Sequence, residues 1–175
     1  MRVFVAMAAA ALLLAGCYES EALLLDPAQA VTPLAVGTQT ILDEGDTPEK
    51  VTVTLGQDHW YRVTSPDPRE KPSRVLFTTL AGTRDGQIAF AYDDGGKYLY
   101  GIAERRDGRV FIDLPFCDLG AARDIAIAHG VKMAAKGALA PTCTFERAAD
   151  LRAALIDWAL RPGERPKLPN LPGAP

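Results

Sequence analysis

Gln87-Ile88-Ala89-Phe90-Ala91-Tyr92-Asp93-Asp94-Gly95-Gly96-Lys97-Tyr98-Leu99-Tyr100-Gly101-Ile102-Ala103-Glu104-Arg105-Arg106-Asp107-Gly108-Arg109-Val110-Phe111-Ile112-Asp113-Leu114 decides the fold. Three runs of β-forming residues are separated by Asp94-Gly95-Gly96 and Asp107-Gly108, and Asp85-Gly86 stands just ahead of the first. Asp and Gly supply the positive φ that tight hairpin turns require. Strands joined so closely lie antiparallel. Arg74 to Leu80, also rich in β-formers, precedes them, so Arg74 to Pro115 reads as a four-stranded meander.

Its alternation suggests two unequal faces. Ile88, Phe90, Tyr92, Tyr98, Tyr100, Ile102, Val110, Ile112 and Leu114 make a bulky one, expected to fill a core or the inside of a curled sheet. Ala89, Ala91, Leu99, Gly101, Ala103 and Phe111 make a smaller one that lets a helix approach. Working back toward the N-terminus, Val51, Val53 and Leu55 alternate with threonines, the mark of a half-buried strand. His59 to Thr64 reads as a strand with His59, Tyr61 and Val63 on one face, and Thr38 to Leu42 as another. Asp43 to Pro48 and the proline-rich Ser65 to Ser73 read as loops. Asp43, Glu44 and Asp46 lack EF-hand spacing.

Working toward the C-terminus, Leu119 to His129 has helical spacing, with Ala122, Ile125, Ala126 and His129 on a stripe and Gly130 as its stop. Cys143 to Phe145 suggests an edge strand. Arg147 to Leu160 is the clearest helix, with Leu151, Ala154, Leu155, Trp158 and Ala159 on one side. The fold class expected is α+β: a curled antiparallel meander of about six to eight strands with two packed helices, the longer one C-terminal. The expected organisation is a signal peptide over 1–16, a lipidated tether and lead-in over 17–37, one domain over 38–161, and a disordered proline-rich tail over 162–175.

The first of these segments carries the address. Arg2 supplies a positive start, Val3 to Leu14 is apolar, and Ala15-Gly16 are small. The run is too short for a membrane-spanning helix, which needs roughly twenty residues, and has the build of a secretory signal. Leu14-Ala15-Gly16-Cys17 resembles the lipobox of bacterial lipoproteins. The resemblance implies a diacylglyceryl thioether on Cys17, cleavage after Gly16, and palmitate-type acylation of the new amino terminus. Tyr18 rather than Asp after the cysteine implies the outer membrane, facing the periplasm. Multiple acyl chains make a lasting anchor where a single chain gives marginal binding.

Residues 1–16 carry Arg2 as their only charge, so cleavage leaves 159 residues with a net charge near −4. Such a chain can bury a real core, and its mild acidity argues against a nucleic-acid role. With Cys17 assigned to lipid, Cys117 and Cys143 remain, an even pair in an oxidising compartment, expected to form a disulfide. The loop they close contributes roughly 3–4 kcal/mol in the chain-entropy model.

Chemistry is sparse. Asp58 adjoins His59, but strand neighbours point to opposite faces, so His59 reads as a core histidine beside Tyr61. His129, at a helix C-terminus, suits the dipole. Ser65 and Ser73 lack a Gly-x-Ser-x-Gly elbow. Asp93 and Asp94 read as turn residues, and no glycine-rich phosphate loop is present. Arg105, Arg106 and Arg109 cluster at one hairpin, with Arg84 and Lys97 at others, interleaved with Glu104 and Asp107 as on a solvated turn. The cysteines and histidines lack zinc spacing. Tyr92, Tyr98 and Tyr100 either line a ligand cavity or pack a core.

No catalytic residue, cofactor or metal is therefore expected. The function expected is that of a non-enzymatic, lipid-anchored envelope protein. It would bind or assemble with an envelope partner and touch the membrane through its N-terminal lipid. One alternative is a periplasmic hydrolase inhibitor. Small one-disulfide meander lipoproteins resemble lysozyme inhibitors in build, although this chain lacks their Ser-Gly-x-x-Tyr motif. Another is a carrier of a lipid or small apolar ligand.

Overall fold

The computed structural model describes residues 17–41, 49–117, 120–133, 142–161 and 171–173. The signal segment 1–16, the Asp43–Pro48 turn, and 162–170 and 174–175 of the tail lie outside the described residues.

The chain is α+β. The strands are β1 (Tyr18–Ser20), β2 (Gly37–Ile41), β3 (Glu49–Leu55), β4 (Tyr61–Thr64), β5 (Ser73–Thr79), β6 (Gln87–Asp93), β7 (Tyr98–Arg106), β8 (Arg109–Asp113), β9 (Lys132–Met133), β10 (Cys143–Thr144) and β11 (Leu171–Pro172). Two helices, α1 (Gly120–Ala128) and the longer α2 (Ala148–Leu160), follow the meander. β10 falls within the expected Cys143–Phe145 strand but lies between β1 and β9 rather than at an edge. The strands beyond those expected are β1, β9 and β11, each of two or three residues, too few for alternation to register.

β2 through β8 pair consecutively and antiparallel. β7 is the pivot. One edge pairs with β6 along its length; the other is shared by β1 at Tyr98–Tyr100 and by β8 from Ile102 onward. β10 then adds to β1 in parallel, and β9 to β10.

The sheet curls until its ends meet. β11 pairs with β8, and Leu34, ahead of β2, bridges Gly173 just past β11. The enclosed face is packed with Val51, Val53, Tyr61, Val75, Phe77, Phe90, Leu99, Ala103 and Val110. Tyr61 meets Phe77 edge-on at 5.8 Å, and Phe77 tilts against Phe90 at 6.2 Å. Small barrels are filled by side chains in this way. The tail expected to be disordered thus contributes a short strand, because β8 otherwise presents an unpaired edge.

Register corrects the two expected faces. Asp93 pairs with Tyr98, leaving four residues in the turn, an even number that swaps the face of even-numbered positions. Ile88, Phe90 and Tyr92 therefore share the enclosed face with Leu99 and Ala103, while Tyr98, Tyr100 and Ile102 share the outer face with Ala89 and Ala91. The next hairpin swaps parity again and returns Val110 and Ile112 to the enclosed side.

The helices cover that outer face. α2 buries Leu151, Ala154, Leu155, Trp158 and Ala159, the stripe expected, against Leu76, Ala89, Ala91 and Ile102. α1 buries Ala122 and Ala126 and stops at Gly130, whose φ is 79°. Cys117 and Cys143 are bridged, with Cα atoms 5.8 Å apart, tying the end of the meander to β10.

Candidate functional site

The residue on which the sequence places most weight is Cys17. It lies at the seam where β1 and β8 part along the edge of β7, and it bridges Phe116. Its side chain is 0% exposed and belongs to the enclosed core with Leu34, Leu99 and Leu114. The lead-in is held tightly from its first residues. Tyr18 Oη donates to Ala122 O of α1 at 2.7 Å, and its ring lies 4.9 Å from that of Phe145. Tyr100 Oη accepts from Leu24 N–H at 2.9 Å and donates to Ala22 O at 3.0 Å. Ser20 Oγ lies 2.7 Å from Tyr100 Oη and also within reach of Ala22 O, so its single proton goes either to the phenol or to that carbonyl. Lys97 Nζ donates to Glu19 at 2.6 Å, and Phe145 N to Glu19 O at 2.8 Å. Burial pushes the Tyr18 and Tyr100 phenols above their ordinary range. The stretch expected as a tether is thus woven into the sheet from Tyr18 onward.

The disulfide encloses this seam. Cys117 follows the Phe116 that bridges Cys17, and Cys143 pairs with Tyr18. The three cysteines are neighbours along the backbone, yet Cys17 packs into the barrel while Cys117 and Cys143 pack on the helix side.

Catalytic candidates do not converge. His59 is a correction: β4 begins at Tyr61, and His59 sits exposed in the preceding turn with φ 64°, rather than in a strand beside Tyr61. Gly56 N–H bonds Trp60 O at 2.9 Å and His59 N–H bonds Gly56 O at 3.1 Å, so the Gly56-Gln57-Asp58 turn extends through His59. Asp58 turns back to Trp60 N–H and pairs with Arg74 at 3.1 Å. His129 closes α1 and its Nε2 lies 2.7 Å from Asp157 Oδ2 on α2, a link between helices. Ser73 Oγ lies 3.3 Å from Tyr92 Oη, and Ser65 Oγ accepts from Asp67 N–H. Asp93 caps its turn through Gly95 N–H at 3.0 Å. The tyrosines part company: Tyr92 lies on the enclosed side, Tyr98 packs 6.1 Å from Trp60 outside, and Tyr100 is wholly buried at the seam.

Two surface clefts border these elements. One, of about 480 Å³, lies between the end of α1 and the start of α2, with His129, Thr144, Phe145, Glu146, Arg147 and Asp150 in its walls. The other, of about 400 Å³, is lined by Glu19, Ser20, Glu21, Asp94, Gly96, Lys97 and Thr144. Both have charged side chains of either sign in their walls, Arg147 with Asp150 in the first and Lys97 with Glu19 in the second.

Among the described residues, no group of three or more His, Cys, Asp or Glu side chains is placed to hold a metal ion, and no helix is long and apolar enough to cross a membrane. Comparison with family models, with curated proteins and with solved structures finds no match. Sequence reading missed β1 as a seam element. Its signal, Tyr18 and Ser20 inward with Glu19 between them, is a single alternation and cannot be told from chance.

Proposed function

We propose that the chain is a lipid-anchored envelope protein, held through Cys17, that acts as a non-enzymatic binding or assembly module at the membrane surface. The observation that carries this is Leu14-Ala15-Gly16-Cys17 at the end of a short apolar run that follows Arg2. The fold is compatible with it: Tyr18, next to Cys17, is gripped by both sheet and helix. Cys17 is buried in the enclosed core, so this reading requires it to turn out of the barrel in the anchored form while Tyr18 stays held. The side chains packed inside the barrel favour a contact module over a carrier. Fractionation of the native cell tests the reading. The wild-type protein is expected in membranes, released by detergent but not by salt. Cys17→Ser is expected to abolish that retention. Wild-type protein in the salt wash would overturn the reading.

A further inference from the structure

Antiparallel order sends alternate turns to opposite ends of the barrel. One end collects the start of β2, the β3–β4, β5–β6 and β7–β8 turns, and the end of β11. α2 finishes there too, since Gln87 at the head of β6 reaches Ala159 O at 3.5 Å. Three of the four exposed large hydrophobic side chains among the described residues lie at this end: Val36 at 61%, Leu55 at 39% and Leu160 at 42%. Arg84, Arg106 and Arg109 are exposed beside them, on two turns joined by the Arg105 N–H to Gly86 O bond of 2.9 Å. The acidic groups at this end are Asp58, engaged by Arg74, Glu104, 3.9 Å from Arg106, and the turn residues Asp85 and Asp107. The opposite end carries Glu19, Glu21, Asp67, Glu70 and Asp94 against Lys50, Arg69, Lys71 and Lys97, together with the Arg74–Asp93 pair.

We propose that the arginine-bearing end rests on the anionic phospholipid headgroups of the membrane to which the protein is anchored. This inference rests on the lipid-anchor reading. The direction of β1 supports it independently of charge: β1 runs antiparallel to β7, so the chain traced back through Tyr18 heads toward the end where β7 finishes. Guanidinium forks match phosphate oxygens, and apolar residues set among cations suit the headgroup boundary. Tethering holds the two surfaces at high effective concentration, which favours the bilayer over a freely diffusing acidic partner.

The test uses full-length lipidated protein, its acyl chains verified by mass, in phosphatidylcholine vesicles with or without phosphatidylglycerol. A fluorophore is placed on Ala81→Cys in the β5–β6 turn or on Lys71→Cys at the far end, and energy transfer to headgroup-labelled lipid is read. Transfer from position 81 is expected to exceed that from position 71 several-fold on anionic vesicles. High salt, which shortens the screening length to about 3 Å at 1 M, is expected to remove the difference, as is Arg84→Ser/Arg106→Ser/Arg109→Ser. Equal transfer, or stronger transfer from position 71, overturns the orientation and is the result expected if this end binds an acidic protein instead. Failure of the anchor reading shows itself separately, as protein with no acyl mass and no vesicle retention.

Discussion

Gly101 shows how one residue sets the packing of the barrel. A Cβ there would meet Asp113 O at 2.5 Å and the Phe90 ring at 2.6 Å. Phe90 pairs with Gly101 across the ladder, so its ring lies over the bare backbone. Gly101→Ala is expected to destabilise by about 1–3 kcal/mol through overpacking, read as a lower denaturation midpoint with an unchanged fold by circular dichroism. Tyr100→Phe keeps the ring but strands Leu24 N–H, at a cost of about 1–3 kcal/mol. A pH prediction follows from burial of the phenols. Burial raises Tyr18, Tyr61 and Tyr100 above the usual 10.0, so the folded state holds protons that the unfolded state releases. Their stabilisation is complete below pH 10.0 and is lost as pH climbs beyond it. Tyrosinate absorbance should therefore rise in two stages, the second coincident with loss of structure. A single smooth titration in the folded protein would contradict this. At this scale the sequence was least legible: Cys17 and the disulfide pair stand out by residue type, whereas the Tyr100 hydroxyl acts through partners nearly eighty positions away.

The elements divide by length. The meander and α2 were readable because each carries several periods of its pattern, and the α2 stripe of Leu151, Ala154, Leu155, Trp158 and Ala159 is buried as its spacing implied. What escaped was relational. The strand patterns did not reveal that the Asp94–Lys97 turn holds an even number of residues between paired positions, and that number decides which face Tyr98, Tyr100 and Ile102 occupy. β1, β9 and β11 form because neighbouring edges need partners, a tertiary cause with little local trace. Trp158 tests the α2 packing. It is fully buried, and its Nε1 donates to Asp113 Oδ2 at 3.2 Å, so Trp158→Ala is expected to cost about 3–5 kcal/mol. Cys117→Ser/Cys143→Ser is expected to cost roughly 3–4 kcal/mol from loop entropy and to quicken amide exchange at Tyr18–Ser20 before the β5–β7 core. Equal exchange at both places would show that the bridge does not guard the seam.

On the scale of the molecule, a curled sheet seals its own interior while two helices seal one outer flank. The α+β class follows from turn spacing and helical stripes. The placement of the seam does not, because it depends on β7 being long enough to hold β1 and β8 on one edge. The central claim concerns Cys17, and intact mass of protein extracted from native membranes, with and without reductant, tests it most directly. The mass expected is that of residues 17–175 plus a diacylglyceryl group and an amino-terminal acyl chain, increasing by the mass of two hydrogens on reduction of Cys117–Cys143. A mass without acyl chains, or one in which residues ahead of Cys17 are retained, would contradict it.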